Sequence, residues 1–317
     1  MIKEKTVGFK TSNEKLQSLY DRTEKALERN IKFFGDKKVL VEGGGYWNVW
    51  METQPMGGEM YWKRDAEIAL NNQLIFLEQQ REDGRLPGMV SFKDDVLTPH
   101  FTHLQGYCFP YHAINVYYLN RLGKDYLEYL YDCFEKFDNY LWNERDSKGE
   151  GCLETWCEWD TGEDNFKLLK GAPHGWSENY PPEDAGNMPL QSISCMGYSR
   201  DGRAALAEIS EILQNGKAKY WSDKVKQVDE KMRNYLWRED KGAFFDRDKN
   251  GEFLDKVTAL DSVGGWISHL FQYVTGSLKD VTFEVFALED VKSADGESED
   301  YYKKDELVAT ITTDDTG

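Results

Sequence analysis

No run of 18 apolar residues occurs in the sequence, so it holds no segment able to cross a bilayer as a helix. The opening residues, MIKEKTVGFKTSNEK, lack the apolar stretch of an export signal, and a soluble, cytoplasmic chain is expected. Basic charge is scarce. The 39 Lys and Arg stand against 57 Asp and Glu, a net charge of −18 that argues against nucleic acid as a partner, because phosphate contacts need a basic stripe. The five cysteines (108, 133, 152, 157 and 195) are odd in number and form no CxxC pair, which favours reduced structural thiols over a disulfide framework or a zinc site. His100, His103 and His112 are close in sequence, but no HExxH or cysteine partner accompanies them. The Asp246-x-Asp248-x-Asn250-Gly251 stretch opens like a calcium loop, yet Val257 stands where the bidentate glutamate belongs, and a hairpin with an Asn-Gly turn is expected. No metal and no cofactor are expected.

Aromatic residues are plentiful, at 14% with ten tryptophans, which suits a carbohydrate-facing pocket, although core packing accounts for aromatics without any ligand. They gather around Cys157-Glu158-Trp159-Asp160-Thr161-Gly162-Glu163-Asp164-Asn165, with Trp156 before this segment and Trp176 after it. Carboxylates are the working groups of glycoside hydrolysis, and indole faces stack on sugar rings. An acidic, solvated loop capping a helix has the same composition, so both readings stand at this point.

Long amphipathic helices are expected up to about residue 272. Apolar residues recur at helical spacing over 16–34, 64–81, 107–122, 127–141, 192–213 and 221–236, giving six helices or three hairpins, with the start of a seventh at 265–267. Two- or three-residue links make the third and fourth helices, and the fifth and sixth, antiparallel hairpins. The connections 43–59, 83–101 and 142–189 are long, aromatic and rich in glycine, as binding loops on a rigid scaffold are. Residues 280–287 and 306–313 alternate with period two, so the last 45 residues read as a separate β-rich fragment, 273–317.

Several motifs together carry a family resemblance. Met56-Gly57-Gly58-Glu59-Met60-Tyr61-Trp62-Lys63-Arg64-Asp65, the QREDGRLPG run at 80–88, Trp159-Asp160-Thr161-Gly162-Glu163-Asp164-Asn165 and the 236–246 stretch resemble, in order and spacing, the six-hairpin glycosidases of glycoside hydrolase families 63 and 37, the glucosidase-I- and trehalase-like enzymes. The resemblance implies a mainly α fold, an incomplete (α/α)6 toroid of helical hairpins spanning residues 1–272. It also implies hydrolysis of a small α-linked glucoside or mannoside with inversion. Asp164 takes the place of the general acid. Trp62, Arg64, Asp65 and Glu59, on what the resemblance makes the first inner helix, and Trp159, Asp160, Asn165 and Trp176 are the expected sugar contacts. The family's basic glutamate comes from a late hairpin, and no segment here occupies its place. Trp47 and Trp50 stand either at the rim of the site or in the core.

Residues 278–286 and 312–317 resemble the first strands of a Cna-B/SpaA-type module of bacterial surface proteins, without a match for its isopeptide partners. A non-catalytic carbohydrate-binding or surface-display protein is therefore the rival expectation, as is an inactive fusion or fragment. An incomplete toroid also leaves an apolar flank, from which self-association is expected.

Overall fold

The computed structural model describes residues 7–43, 45–106, 109–162, 169, 171–183, 185–254, 282–286, 303 and 306–312. The chain divides into two compact units, Met1–Val257 and Thr258–Gly317. The boundary expected at 272 and the seventh helix at 265–267 lie outside the described residues.

Unit 1 is built from α1 (Glu14–Arg29), α2 (Gln54–Tyr61), α3 (Ala66–Leu77), α4 (Phe109–Asn120), α5 (Lys124–Glu144), α6 (Ile193–Leu213) and α7 (Ala218–Lys231). The first expected helix ends early. Asn30 caps α1, and Ile31–Phe34 (β1) pairs antiparallel with Lys37–Leu40 (β2). The turn between them contains Gly35 at φ 64°, a conformation glycine adopts at little cost. A three-stranded sheet joins β3 (Asn48–Trp50), β4 (Met89–Lys93) and β5 (Val96–His100) in that order, filling what periodicity alone leaves as loops. Short pairs β6 (Glu154–Thr155) with β7 (Leu190–Gln191), and β8 (Trp237–Arg238) with β9 (Ala243–Phe244), brace the ends of α6 and α7. The Asp246–Gly251 stretch is a turn in which Asp248 Oδ1 accepts from the amides of Asn250 (2.8 Å) and Glu252 (3.0 Å).

The three hairpins are α2/α3, α4/α5 and α6/α7. α2 was not legible as a helix because it has eight residues, two of them glycine. Tertiary bonds hold it instead: Asn72 and Gln73 of α3 donate their side-chain amides to the carbonyls of Gln54 (2.9 Å) and Pro55 (2.8 Å). α2 and α4 run parallel, since Glu52 packs at Gly106 ahead of α4 while Glu59 meets His112 and Asn115 within it. α3 runs the other way, because Asn120 at the end of α4 donates to Ala66 O at the start of α3 (3.0 Å). The first inner helix is therefore α2. The Tyr61–Asp65 motif enters an outer helix, a correction to the expectation from resemblance. α6 is parallel to α4: Tyr198 reaches Thr161 O (3.1 Å) at one end, and Tyr118 meets Glu208 (3.0 Å) at the other.

The core lies between these layers. Phe76, Phe109 and Phe134 make edge-to-face contacts at 6.1 and 5.8 Å, with Leu130, Leu206, Ile209 and Trp221 in the same cluster. Each such side chain contributes about 1.5–3 kcal/mol by leaving water. α2 approaches α3 closely at Gly58, where an added Cβ would collide with Asn72 Cβ. Gly58→Ala is accordingly expected to push α2 off α3 and cost about 1–3 kcal/mol, read as a lower denaturant midpoint at unchanged slope.

In unit 2, Thr282–Phe286 (β10) and Leu307–Thr312 (β11) pair antiparallel, in the two segments whose period-two pattern marked them as strands.

Candidate active site

Parallel inner helices place their N-terminal ends together, and the loops entering α2, α4 and α6 form one mouth. Main-chain bonds weave these loops into a single surface. Gln105 N donates to Trp159 O (3.2 Å), Gly106 N to Asp160 O (2.9 Å), Trp159 N to His174 O (3.2 Å) and Trp176 N to Thr102 O (2.5 Å). The rings follow the same order. Trp50 stacks on His103 (6.3 Å), His103 meets Trp159 edge-on (5.8 Å), and Trp159 stacks on His174 (5.3 Å). Trp159 is 39% exposed, so part of its indole is open to a ligand.

The floor of the mouth is a buried ion pair. Asp160 and Arg145 are both fully enclosed, with Arg145 Nη1 donating to Asp160 Oδ2 at 2.5 Å. Asp160 also accepts from the amides of Leu104 (2.8 Å), Trp156 (2.9 Å) and Cys157 (3.3 Å). Burial alone would raise this carboxyl, but the charge and hydrogen bonds of Arg145, the Trp156 amide and nearby Arg85 hold it below its ordinary value. Asp160, expected at the sugar, thus ties two loops together from beneath. Directly after it, Gly162 (φ 76°) lies against Glu52: an added Cβ there would collide with Glu52 Oε2. A carboxylate is therefore packed against the main chain of the segment that leads into 163–165. Glu163, Asp164 and Asn165 themselves lie outside the described residues.

The remaining expected residues divide. Trp159 and Trp176 are at the mouth. Trp62, Arg64 and Asp65 are at the other end of α2, eight residues or roughly 12 Å along the helix axis. Arg64 forks onto Glu24 of α1 (Nη2 to Oε1 2.5 Å), while Asp65 caps α3 through Glu67 N (3.0 Å) and pairs with Lys38 (2.5 Å). Glu59 is between the two ends, accepting from His112 Nδ1 (2.5 Å) and Asn115 Nδ2 (2.9 Å).

His103, considered in the sequence only as a metal ligand, is almost wholly buried at the mouth. Nδ1 is bonded to Thr102 Oγ1 (2.9 Å), while Nε2 and the neighbouring Trp50 Nε1 have no partner among the described residues. Burial, opposed by Asp160, pushes its pKa down to about 4, so the imidazole is neutral at physiological pH.

A profile of the mannosylglycerate hydrolase MGH1-like glycoside hydrolase domain matches residues 58–277, more than half of the chain. The chain belongs to this family. Solved structures agree on the fold. The family 63 mannosylglycerate hydrolase of Thermus thermophilus, in complex with glucose, is 18% identical over 75% of this chain and 70% of its own, with a TM-score of 0.57. An uncharacterised conserved protein from the same organism is 18% identical over 82% of this chain and 77% of its own, with a TM-score of 0.60. A rhamnosidase from Klebsiella oxytoca with rhamnose bound is 14% identical, covering 77% of this chain and 42% of its own, with a TM-score of 0.50. No curated protein sequence matches the chain.

The MGH1-like domain is mainly helical, as the six-hairpin resemblance implies, and a glycosidase by ancestry. Among its described residues, no helix is long and apolar enough to cross a membrane. Its mouth includes three residues that sequence reasoning did not select: Glu52, His103 and Gln105. Glu52 was hidden inside a long aromatic loop, and His103 was weighed only as a metal ligand. Gln105 is buried at φ 55°, which no composition signal reports. The one available clue was order, since each precedes the start of an inner helix.

Proposed function

We propose that this MGH1-like domain cleaves a small α-linked mannoside or glucoside with inversion, Asp164 protonating the leaving oxygen. The observation that carries the reading is the anchored segment Trp156–Gly162. Arg145 and three backbone amides fix this segment at Asp160, and Gly162 at its end is packed against Glu52. A general acid of this kind has to hold its proton until the leaving oxygen takes it. The glucose and D-glycerate held by the Thermus hydrolase support a hexose bearing a small acidic or polar aglycone. Trp159, Trp176 and Trp50 supply stacking faces, with Glu52 and Asn165 as hydroxyl partners.

In this reading the family's base glutamate is missing from the chain. A non-catalytic carbohydrate-binding protein is the second reading, favoured by that missing base. In the same proposal, residues 273–317 are related to a surface-type β-module of the Cna-B kind.

The reading is tested by following an aryl α-mannoside by NMR, with azide supplied in place of the base. Azide attacks the anomeric carbon, the glycosidic C–O bond breaks, and the aryl oxygen takes the proton of Asp164. The expected product is the β-mannosyl azide, and without azide the first-formed sugar is the β-anomer. A first-formed α-product would overturn inversion. Binding with no turnover under either condition would leave the second reading.

A further inference from the structure

Arg85 ends the turn between α3 and β4 and has no exposure to solvent. Burial lowers its pKa. Among the described residues no carboxylate pairs with its guanidinium. Nη1 and Nη2 reach the carbonyls of Ser177 (3.4 Å) and Trp176 (3.5 Å), the plane faces Tyr140 at 5.6 Å, and Nε has no partner among the described residues. Burying a cation on main-chain carbonyls alone is costly, and an apolar side chain of similar length would fill the space at less expense.

The rest of the turn grips the same stretch. Arg81 forks onto Asp83, and both bond to Asn179 at 3.2 Å. Tyr140 OH also reaches Asn179 (3.4 Å). At its other edge the stretch is fixed by Trp176 N on Thr102 O (2.5 Å), and the Trp176 indole donates to Tyr180 O (2.6 Å). Gly175 allows this approach, since a Cβ there would be 3.0 Å from Thr102 O.

We propose that Arg85 is a positioning residue for Trp176, holding the 174–180 stretch so that this indole keeps its place at the mouth. The inference deepens the glycoside reading above and rests on it for the role of Trp176. Arg85 itself touches no substrate. The planar guanidinium is preorganised to span two successive carbonyls, whereas a lysine ammonium is a point charge on a flexible stem.

The test uses the full chain with Arg85→Met, Arg85→Lys and the surface variant Asn179→Ala. Amide exchange, melting temperature and affinity for methyl α-mannoside by tryptophan fluorescence are read together. Arg85→Met is expected to speed exchange over 174–180 about tenfold and weaken the mannoside about tenfold, while the melting temperature holds or rises. Arg85→Lys should recover only part of the affinity. Asn179→Ala should loosen the same stretch to a smaller degree, and it decides the matter if Arg85→Met does not fold. Unchanged exchange over 174–180, or faster exchange throughout unit 1, overturns the proposal. If the stretch loosens as expected but the wild type binds neither mannoside nor glucoside, the clamp stands and the glycoside reading falls.

Discussion

Asp164→Asn is expected to lower azide-supported turnover of a phenyl α-mannoside by about a hundred- to ten-thousand-fold, the usual worth of a positioned acid. The size should depend on the leaving group. A phenol of high pKa needs the proton in the transition state, whereas a dinitrophenol departs as a stable anion and gains little from it. The deficit of Asp164→Asn should therefore shrink steeply as the aglycone becomes more acidic. Loss of a group that acts on the nucleophile's side would instead affect all leaving groups alike. Measuring kcat/KM across a series of aryl mannosides separates the two, and an equal loss across the series would remove Asp164 from the acid's role. Affinity for the sugar itself should change little, because the amide keeps the shape of the carboxyl.

Asp160→Ala is expected to be the most damaging single change to unit 1. It leaves the Arg145 guanidinium enclosed without its counter-charge and strips three amides of their acceptor. Removing one partner of such a pair costs about 3–5 kcal/mol. At this size a domain loses about 2–4 °C per kcal/mol, so a melting temperature lower by roughly 10 °C follows. Replacing both charges, with Asp160→Leu and Arg145→Met, should recover only part of the loss, because the amides of Leu104, Trp156 and Cys157 stay unpaired.

Acid should act on the same carboxyl. Its folded pKa is depressed by Arg145, despite burial, so its stabilising contribution is full above the unfolded value near about 3.9 and is lost as pH falls through the lower folded value. Wild type should thus lose stability more steeply than Asp160→Ala below about pH 4. Calorimetry of the two chains from neutral pH downward reads both effects. A difference under about 1 kcal/mol at neutral pH would show that the pair is no anchor.

What the sequence made legible was set by the range of the forces involved. α5 was plain because Leu127, Leu130, Phe134, Phe137 and Leu141 repeat on one face, and all five are buried. α2 was invisible because its helix is held by Asn72 and Gln73 from another element, and its own Pro55, Gly57 and Gly58 weaken any local signal. The extension of α1 to Phe34 followed apolar spacing past Asn30, where Gly35 allows the chain to turn back as a strand pair. In the site, Trp159 and Asp160 stood out because their neighbours are local. Trp62, Arg64 and Asp65 carried the right chemistry, but the direction of a helix, which no composition reports, placed them away from the mouth. Glu52 and His103 reach the site through contacts with residues 50 or more positions away.

The α2/α3 hairpin delivers its contribution to the mouth through the loop that enters α2, and is bolted to the scaffold at the far end by Arg64–Glu24 and Lys38–Asp65. Binding surface and fastening are therefore carried by different stretches of chain. A loop exchanged between relatives at residues 46–53, 101–106 or 171–180 would alter what the domain accepts while leaving its frame unaltered. Natural variation among family members should then accumulate on one rim of the barrel.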